Sequence, residues 1–226
     1  MSNIIRVVSA VIITDRPVKE PASMLRGYIG GKFPEYTLLH NHQNDGYDYR
    51  YPRVQYKLLE GAPVILGIED GGDILMKILP GIESLQLANN LYNVLETKIT
   101  TRKHVIQQLD TLKNYKFATP WLGLNQENYE KYIQATDWKN RKALLNSILL
   151  GNILSMCKGL GIKIEERINL QTHLDNANVH YKGVLHKAFM GNFRVNFELP
   201  EFFGLGKGVS QGFGVVMHAK EKIDHL

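Results

Sequence analysis

The order of apolar and polar positions in the first part of the chain predicts one compact succession of strands and helices. β-Branched residues dominate Ile4 to Ile13, which is typical of a strand buried on both faces of a sheet. Apolar residues then recur at helical spacing over residues 21–31, where a proline lies near the start and a glycine pair at the end. The other predicted elements of this half are strands at 51–59, 63–68 and near Leu85, and a helix from Asp70 to about Leu79. Together they give the β-α-β-β-α-β order of a ferredoxin-like domain.

The second half begins and ends in predicted strands and contains the clearest helix of the chain. Residues 138–158 carry a wide apolar stripe that ends at two glycines, and the alternation from Ile162 to Leu174 predicts a strand with one wet face. Further strands are predicted at 93–99, 113–119, 179–189, 193–199 and 214–218. We therefore predict an α+β protein of two tandem ferredoxin-like (RRM-like) domains, residues 1–95 and 96–226, with a surface loop over residues 36–48.

Five glycines fall within the eleven residues from Gly204 to Gly214, a density that neither a helix nor a strand favours. A loop tolerates it where the backbone turns sharply or is approached closely, and exposed main-chain amides then form a concavity for an anion. Lys207 adds a cation, and Leu205 and Phe213 are placed to anchor the two ends in a core. The stretch lacks the Gly-Lys-Ser/Thr ending of a nucleotide-binding P-loop.

The glycine-rich stretch resembles the C-terminal loop of the CRISPR repeat-associated RAMP proteins, and among them the Cas-six type endoribonucleases. The resemblance extends through residues 193–200 before the stretch and Val215-Val216 after it, and more weakly through residues 24–28 and 38–42. It implies tandem ferredoxin-like domains and metal-independent cleavage of precursor CRISPR RNA. In that reaction the ribose 2′-hydroxyl attacks the adjacent phosphate, leaving 2′,3′-cyclic phosphate and 5′-hydroxyl ends.

Composition agrees with a folded protein that has a polyanionic partner. Hydrophobic residues make up 44% of the 226 residues, the formal net charge is +5, and the sequence pI is about 9.1. The single cysteine, Cys157, excludes an internal disulfide and a zinc site built from several cysteines. The apolar N-terminal stretch is too short to span a membrane, so we expect a cytoplasmic protein with no membrane partner.

Two histidines and a lysine are the candidate catalytic residues. Imidazole suits proton transfer near neutral pH, and a cation suits the charge that develops on the phosphate. The resemblance places a catalytic histidine after a leucine, which matches His40 first and leaves His42 as the alternative. Lys57 lies on the following strand and is predicted to stabilise the developing charge. Many family members carry a tyrosine in the first helix, where this chain has Gly30-Gly31.

The candidate RNA contacts combine the glycine-rich stretch with basic residues beside aromatic ones. Cations interleaved with aromatic rings suit phosphate contact together with base stacking. The predicted contacts are Gly204, Gly206, Lys207, Gly208, Ser210, Gln211, Gly212, Gly214, Arg26, Arg50 and Arg53. A metal site of His40 and His42 with Asp45 or Asp48 is an alternative, but no recognised metal spacing is present and no cofactor is predicted.

Three functions are ranked by these observations. The first is an endoribonuclease that binds CRISPR repeat RNA as precursor and as product. The second is a non-catalytic member of the superfamily that holds CRISPR RNA, with other effector subunits as partners. The third is an unrelated two-domain protein whose glycine-rich stretch binds a small phosphorylated ligand. A homodimer is compatible with each of them.

Overall fold

The structure is a computed structural model that describes residues 3–40, 42–43, 46–47 and 51–219. The chain divides into two compact units, the first of residues 1–105 with 209–212 and the second of residues 106–208 with 213–226. Strands and helices are present in both units, so the predicted α+β class is confirmed. The predicted boundary between residues 95 and 96 lies inside a strand that continues to Val105.

A five-stranded antiparallel sheet forms the first unit. Its strands are β1 (Ile4–Thr14), β4 (Val54–Leu59), β5 (Ala62–Ile68), β6 (Ser84–Leu87) and β7 (Asn90–Val105), and a two-residue pair, β2 (His42–Gln43) with β3 (Gly46–Tyr47), stands apart. The order is β4-β5-β1-β7-β6, and its first four strands have the ferredoxin-like arrangement. The strand predicted near Leu85 is β6, but β7 is the strand that pairs with β1, because β6 pairs only with residues 90–93 of β7.

The core of the first unit lies on one face of this sheet. The helices are α1 (Ala22–Lys32), the short α2 (Thr37–His40) and α3 (Asp70–Ile78), which is followed by a single 3₁₀ turn, Leu79–Gly81. Alternate residues of the central strands and one stripe of each longer helix make up a buried cluster that includes Val8, Ala10, Leu25, Ile29, Tyr56 and Leu75. Burial of these apolar side chains is the main term that favours this arrangement.

The second unit has a four-stranded antiparallel sheet with the same strand arrangement but only part of the helix set. Its strands are β8 (Gln108–Trp121), β9 (Leu170–Tyr181), β10 (Val184–Phe197) and β11 (Val216–His218), in the order β11-β8-β10-β9. Its helices, α4 (Gln126–Gln134) and α5 (Trp138–Leu160), both precede β9. Where a ferredoxin-like domain has its second helix, residues 198–215 contain only a 3₁₀ turn, Val209–Gln211.

Helix α5 is the main core helix of the second unit. The Asp137 side chain caps its first turn through the Asn140 amide at 2.8 Å, and Gly161 ends it in the left-handed conformation. Its length and composition are also those of a membrane-spanning helix. Six of its residues are nevertheless buried within the protein, namely Leu145, Ile148, Leu149, Ile153, Met156 and Cys157. Those positions are what a core helix requires, so the resemblance to a membrane span is weak.

Several local predictions are wrong, and one helix was missed. The segment predicted as a surface loop contains α2, whose Leu39 is buried. The predicted strand from Ile162 begins only at Leu170, because Ile162 and Ile168 are buried from an irregular segment and so produce an apolar alternation without a strand. Helix α4 was not predicted, because Tyr132 is its only buried residue and its sequence has almost no apolar stripe.

Candidate functional site

The main chain at His40 is fixed by two polar side chains from neighbouring elements. His40 ends α2, and Leu39 before it is packed into the core with 1% of its surface exposed. The buried Tyr56 hydroxyl, from β4, donates to the Leu39 carbonyl at 3.3 Å. The Arg26 guanidinium, from α1, donates to the carbonyl of His40 itself. The His40 imidazole therefore extends from a backbone that is hydrogen-bonded to side chains of α1 and β4.

The His40 ring lies against a glycine of α1. A β-carbon built at Gly30 would lie 2.6 Å from Cε1 of the His40 ring and 2.8 Å from its Nδ1. Such distances are shorter than any that folded proteins keep, so only glycine at position 30 leaves space for the ring where it is. A β-carbon at the adjacent Gly31 would meet nothing within 4 Å. Of the glycine pair that stands where related proteins are expected to carry tyrosine, Gly30 therefore has a local reason, and Gly31 has none.

The His40 side chain is half-buried, which leaves part of it open to solvent. The backbone of His42 is paired in β2, but its side chain lies outside the described residues. Arg50, Asp45 and Asp48 lie outside them as well. Of the two predicted histidines, the structure therefore shows the surroundings of His40 alone.

Lys57 is completely buried, with 0% of its surface exposed. The side chains of β4 alternate: Val54 and Tyr56 join the helix-side core, and Gln55 and Lys57 point to the other face. The Lys57 ammonium donates to Oε1 of Gln55 at 2.9 Å, and burial lowers the pKa of Lys57 to about 7. In this conformation the ammonium has no surface with which to contact RNA, which does not support its predicted role in stabilising charge.

The glycine-rich stretch is tied down more than its composition suggests. Four of its glycines, at positions 206, 208, 212 and 214, have positive φ angles, which explains why glycine occupies them. Main-chain amides at 205, 207, 212, 213 and 214 donate to protein carbonyls at 2.9–3.4 Å. Those amides are not available to an anion. Gly206, Gly208 and Gln211 are partly exposed, whereas Gly204 is buried.

The centre of this stretch, Val209–Gly212, packs against β4 and α1 of the first unit. A β-carbon at Gly212 would lie 2.8 Å from Cβ of Ala22 and 3.1 Å from the Tyr56 carbonyl oxygen, so this close approach also requires glycine. Outside the 3₁₀ turn itself, the amides of Val209, Ser210 and Gln211 donate to no backbone carbonyl in the described part of the chain. Sequence-distant residues 40 and 209–212 thus rest on the same helix and the same strand.

Other predicted contacts already have protein partners. The Lys207 ammonium donates to the Leu124 carbonyl at 2.9 Å, although the residue is largely exposed. The Arg53 guanidinium lies 4.0 Å from a carboxylate oxygen of Asp70, and 28% of its side chain is exposed. Both remain able to reach solvent. Among the residues that the structure describes, no three His, Cys, Asp or Glu side chains are close enough to hold a metal ion.

Sequence reasoning did not find the residues that position His40. Arg26 was predicted to contact RNA, and the structure places its guanidinium on the His40 carbonyl, so the RNA contact stays a prediction. Tyr56 was not singled out, and Gly30 was noted only as part of the glycine pair that ends a helix. The sequence predicts a helix over these positions, and Arg26 and Gly30 are four residues apart, so they lie on one face of α1. That spacing is the sequence signal that could have placed both residues beside His40.

Comparison with known proteins gives matches over nearly the whole chain. The family described as the Cas6b N-terminal domain matches residues 3–105, and the Cas6b C-terminal domain matches residues 107–219. A crystal structure of Cas6b has a TM-score of 0.89 at 31% identity, covering 96% of this chain and 100% of that chain. A crystal structure of the CRISPR RNA processing endoribonuclease Cas6b has a TM-score of 0.77 at 29% identity, covering 95% and 100%. An uncharacterized protein of Methanocaldococcus jannaschii is 36% identical over 146 residues, which are 64% of this chain and 99% of that protein.

Proposed function

Because the chain belongs to the Cas6b family, we propose that it is an endoribonuclease that cuts precursor CRISPR RNA within its repeats. One similar structure is that of a CRISPR RNA processing endoribonuclease, which supports this activity. The observation that carries the proposal is the half-exposed imidazole of His40, which lies against Gly30 and extends from a backbone whose His40 carbonyl accepts a hydrogen bond from Arg26. A positioned imidazole is the group that proton transfer near neutral pH requires.

The proposed reaction needs no metal and is balanced within the RNA. The ribose 2′-oxygen forms a bond to the adjacent phosphorus as its proton passes to a base, and the bond from phosphorus to the 5′-oxygen breaks. A proton must reach that leaving oxygen. His40 serves one of these two transfers. The products carry a 2′,3′-cyclic phosphate and a 5′-hydroxyl.

The RNA strand is proposed to pass from His40 along α1 towards Val209–Gly212. Ala22, which contacts Gly212, and Gly30, which contacts His40, are eight residues apart on α1, about 12 Å along its axis. Gln211, which is partly exposed, lies at one end of this span, whereas the adjacent Ser210 is buried. Arg53, just before β4, offers a partly exposed cation. Gln211 and Arg53 are the RNA contacts that we propose in preference to the paired glycine amides.

A cleavage assay in EDTA tests the activity. Purified protein is incubated with repeat RNA, and the product ends are tested with phosphatase. A 2′,3′-cyclic phosphate resists phosphatase before acid treatment and becomes sensitive once acid has opened the ring. Cleavage that a single 2′-deoxy substitution at the cut site abolishes, with RNA binding retained, is the expected result. Binding without cleavage of any cognate repeat would instead support the non-catalytic RNA-binding function.

A matched pair of glycine substitutions tests the seat of the His40 ring. Gly30→Ala is expected to slow single-turnover cleavage by about a hundredfold, because the new β-carbon displaces the imidazole by at least part of an ångström. Gly31→Ala should leave the rate unchanged, since its β-carbon meets nothing within 4 Å. Both changes raise helix propensity by a similar amount, so a difference between them does not come from helix stability. Equal cleavage rates for the two variants would contradict the proposal that the His40 ring must lie against Gly30.

Replacement of Arg26 separates a positioning role from a phosphate contact. If Arg26 positions His40 through its carbonyl, Arg26→Met slows cleavage at saturating RNA by about ten- to hundredfold and changes the dissociation constant of uncleavable RNA little. If it contacts phosphate, as the sequence suggested, the dissociation constant rises and its dependence on salt weakens while saturated cleavage stays fast. Rapid-quench cleavage and filter binding on the same variant distinguish the two.

A further inference from the structure

The second unit contains a cavity of about 590 Å³ between the start of α5 and strand β9, which we call the Trp138 cavity. The residues of its wall that matter here are Tyr132, Trp138, Arg141, Lys142, Thr172 and His173. Its size is within the range of sites for small organic groups. None of these residues belongs to the site proposed for cleavage.

An exposed indole forms one side of the cavity. Trp138 is the first residue of α5, and 67% of its surface is exposed. The other tryptophan of the chain, Trp121, is by contrast a fully buried core side chain. Large aromatic side chains are usually packed, so an open indole beside a cavity is suited to stack with a flat ring supplied by a ligand.

Basic side chains from the same face of α5 as Trp138 also line the cavity. The Arg141 guanidinium lies 5.2 Å from the centre of the Tyr132 ring and donates through Nε to the Ala135 carbonyl at 2.9 Å. These two contacts fix its plane and leave its terminal amino groups without a hydrogen bond to any described residue. The Lys142 ammonium is 3.4 Å from Nδ1 of His173. No aspartate or glutamate is among the described residues that line the cavity.

We propose that the Trp138 cavity binds a nucleotide of single-stranded RNA, with its base stacked on Trp138 and its phosphate near Arg141 and Lys142. Basic groups held together without a carboxylate are complementary to a polyanion, and the open indole selects a polyanion that carries flat rings. The bases of a duplex are stacked on one another, so an unpaired segment is required. The source of the strand, a part of the repeat RNA away from the cleaved bond, rests on the proposed function.

Tryptophan fluorescence tests this directly, because acrylamide reaches Trp138 and not the buried Trp121. An oligouridylate of eight nucleotides should quench the emission saturably and protect it from acrylamide. Trp138→Ala should weaken binding of the oligonucleotide by about five- to hundredfold. Arg141→Ala with Lys142→Ala should weaken it too and reduce the slope of log affinity against log salt by about one to two.

A matched control uses two exposed lysines of the same helix that do not line the cavity. Lys139→Ala with Lys158→Ala removes the same charge from α5 and should change the affinity and the salt slope far less. Thermal unfolding of each variant, followed by circular dichroism, checks that the fold is kept. Equal loss in the two double variants, or no protection of Trp138 by the oligonucleotide, overturns the proposal.

Two other ligands decide between occupants. If polyglutamate protects Trp138 from acrylamide as well as the oligonucleotide does, the cavity is assigned to an acidic protein. If adenosine monophosphate binds as tightly as the oligonucleotide, the cavity is assigned to a free nucleotide. Either result overturns the RNA strand as occupant. Cleavage in EDTA is measured separately on wild-type protein, so a protein that cuts RNA without engaging Trp138 rejects only this inference. Engagement of Trp138 without any cleavage rejects only the proposed activity.

Discussion

His40→Ala is expected to reduce single-turnover cleavage of repeat RNA by about 10²- to 10⁴-fold, the range that a positioned proton-transfer group contributes. The structure gives the reason: the imidazole lies against Gly30, and the backbone that carries it is hydrogen-bonded by Arg26. Affinity for RNA with a 2′-deoxy cut site should change by no more than a few fold, because a ring that moves protons contributes mainly to the transition state.

Two histidine controls make this result specific. His180→Ala removes an exposed imidazole of β9 and should leave the rate constant at saturating RNA unchanged. His42→Ala decides between the two histidines that the sequence could not separate. A protein in which His42→Ala loses cleavage and His40→Ala retains it would overturn the assignment to His40, whatever its backbone contacts.

The second large effect concerns Lys57 and the stability of the fold. Its pKa is lowered by burial from an ordinary value of 10.5 to about 7, so the folded state disfavours the charged ammonium. Below pH 7 the lysine is protonated in both the folded and the unfolded state, so the full cost of burying the charged ammonium, on the order of 4–5 kcal/mol, lowers the stability of the fold. Between pH 7 and 10.5 only the unfolded state binds it, so the contribution of Lys57 to stability rises with pH. Above pH 10.5 the cost is absent.

Lys57→Met should therefore stabilise the protein near neutral pH. The gain is offset by Gln55, whose Oε1 loses the ammonium as a donor at a cost of about 1–3 kcal/mol. A net increase of roughly 2 kcal/mol in the free energy of unfolding corresponds to about 4–8 °C in Tm for a chain of this size. The difference between variant and wild type should shrink as pH rises from 7 to 9.5.

Urea unfolding at pH 7, 8.3 and 9.5 measures that difference. The upper limit avoids ionisation of Tyr56 and Tyr115, because burial raises the pKa of each phenol and their ionisation would favour unfolding at higher pH. Lys77→Met is the control, because Lys77 lies exposed on α3. The substitution therefore makes the same chemical change at the surface, where little effect on stability is expected. A Lys57→Met protein that is no more stable than the control at pH 7 would show that the ammonium is not desolvated in solution.

Periodicity predicted the long helices well, and the short helices and the long strands poorly. Helices α1, α3 and α5 have apolar stripes long enough to be recognised, and the predicted ends of α1 lie within one residue of the observed ones. Helix α2 has only four residues, so no stripe can form, and α4 buries one side chain only. Residues 162–168 show the converse error, since apolar alternation arose without any strand.

The residues themselves determined which family the chain resembles, that the segment 204–214 needs glycine, and that His40 is a candidate for proton transfer. Local chemistry and spacing are sufficient for such inferences, because backbone freedom and the ordinary pKa of a side chain belong to the residue. Tertiary structure alone decided that Gly30 seats the imidazole, that Arg26 holds its backbone and that Lys57 is buried. Burial and hydrogen bonding depend on which distant segments pack against a residue, and no pattern within one stretch of sequence specifies that.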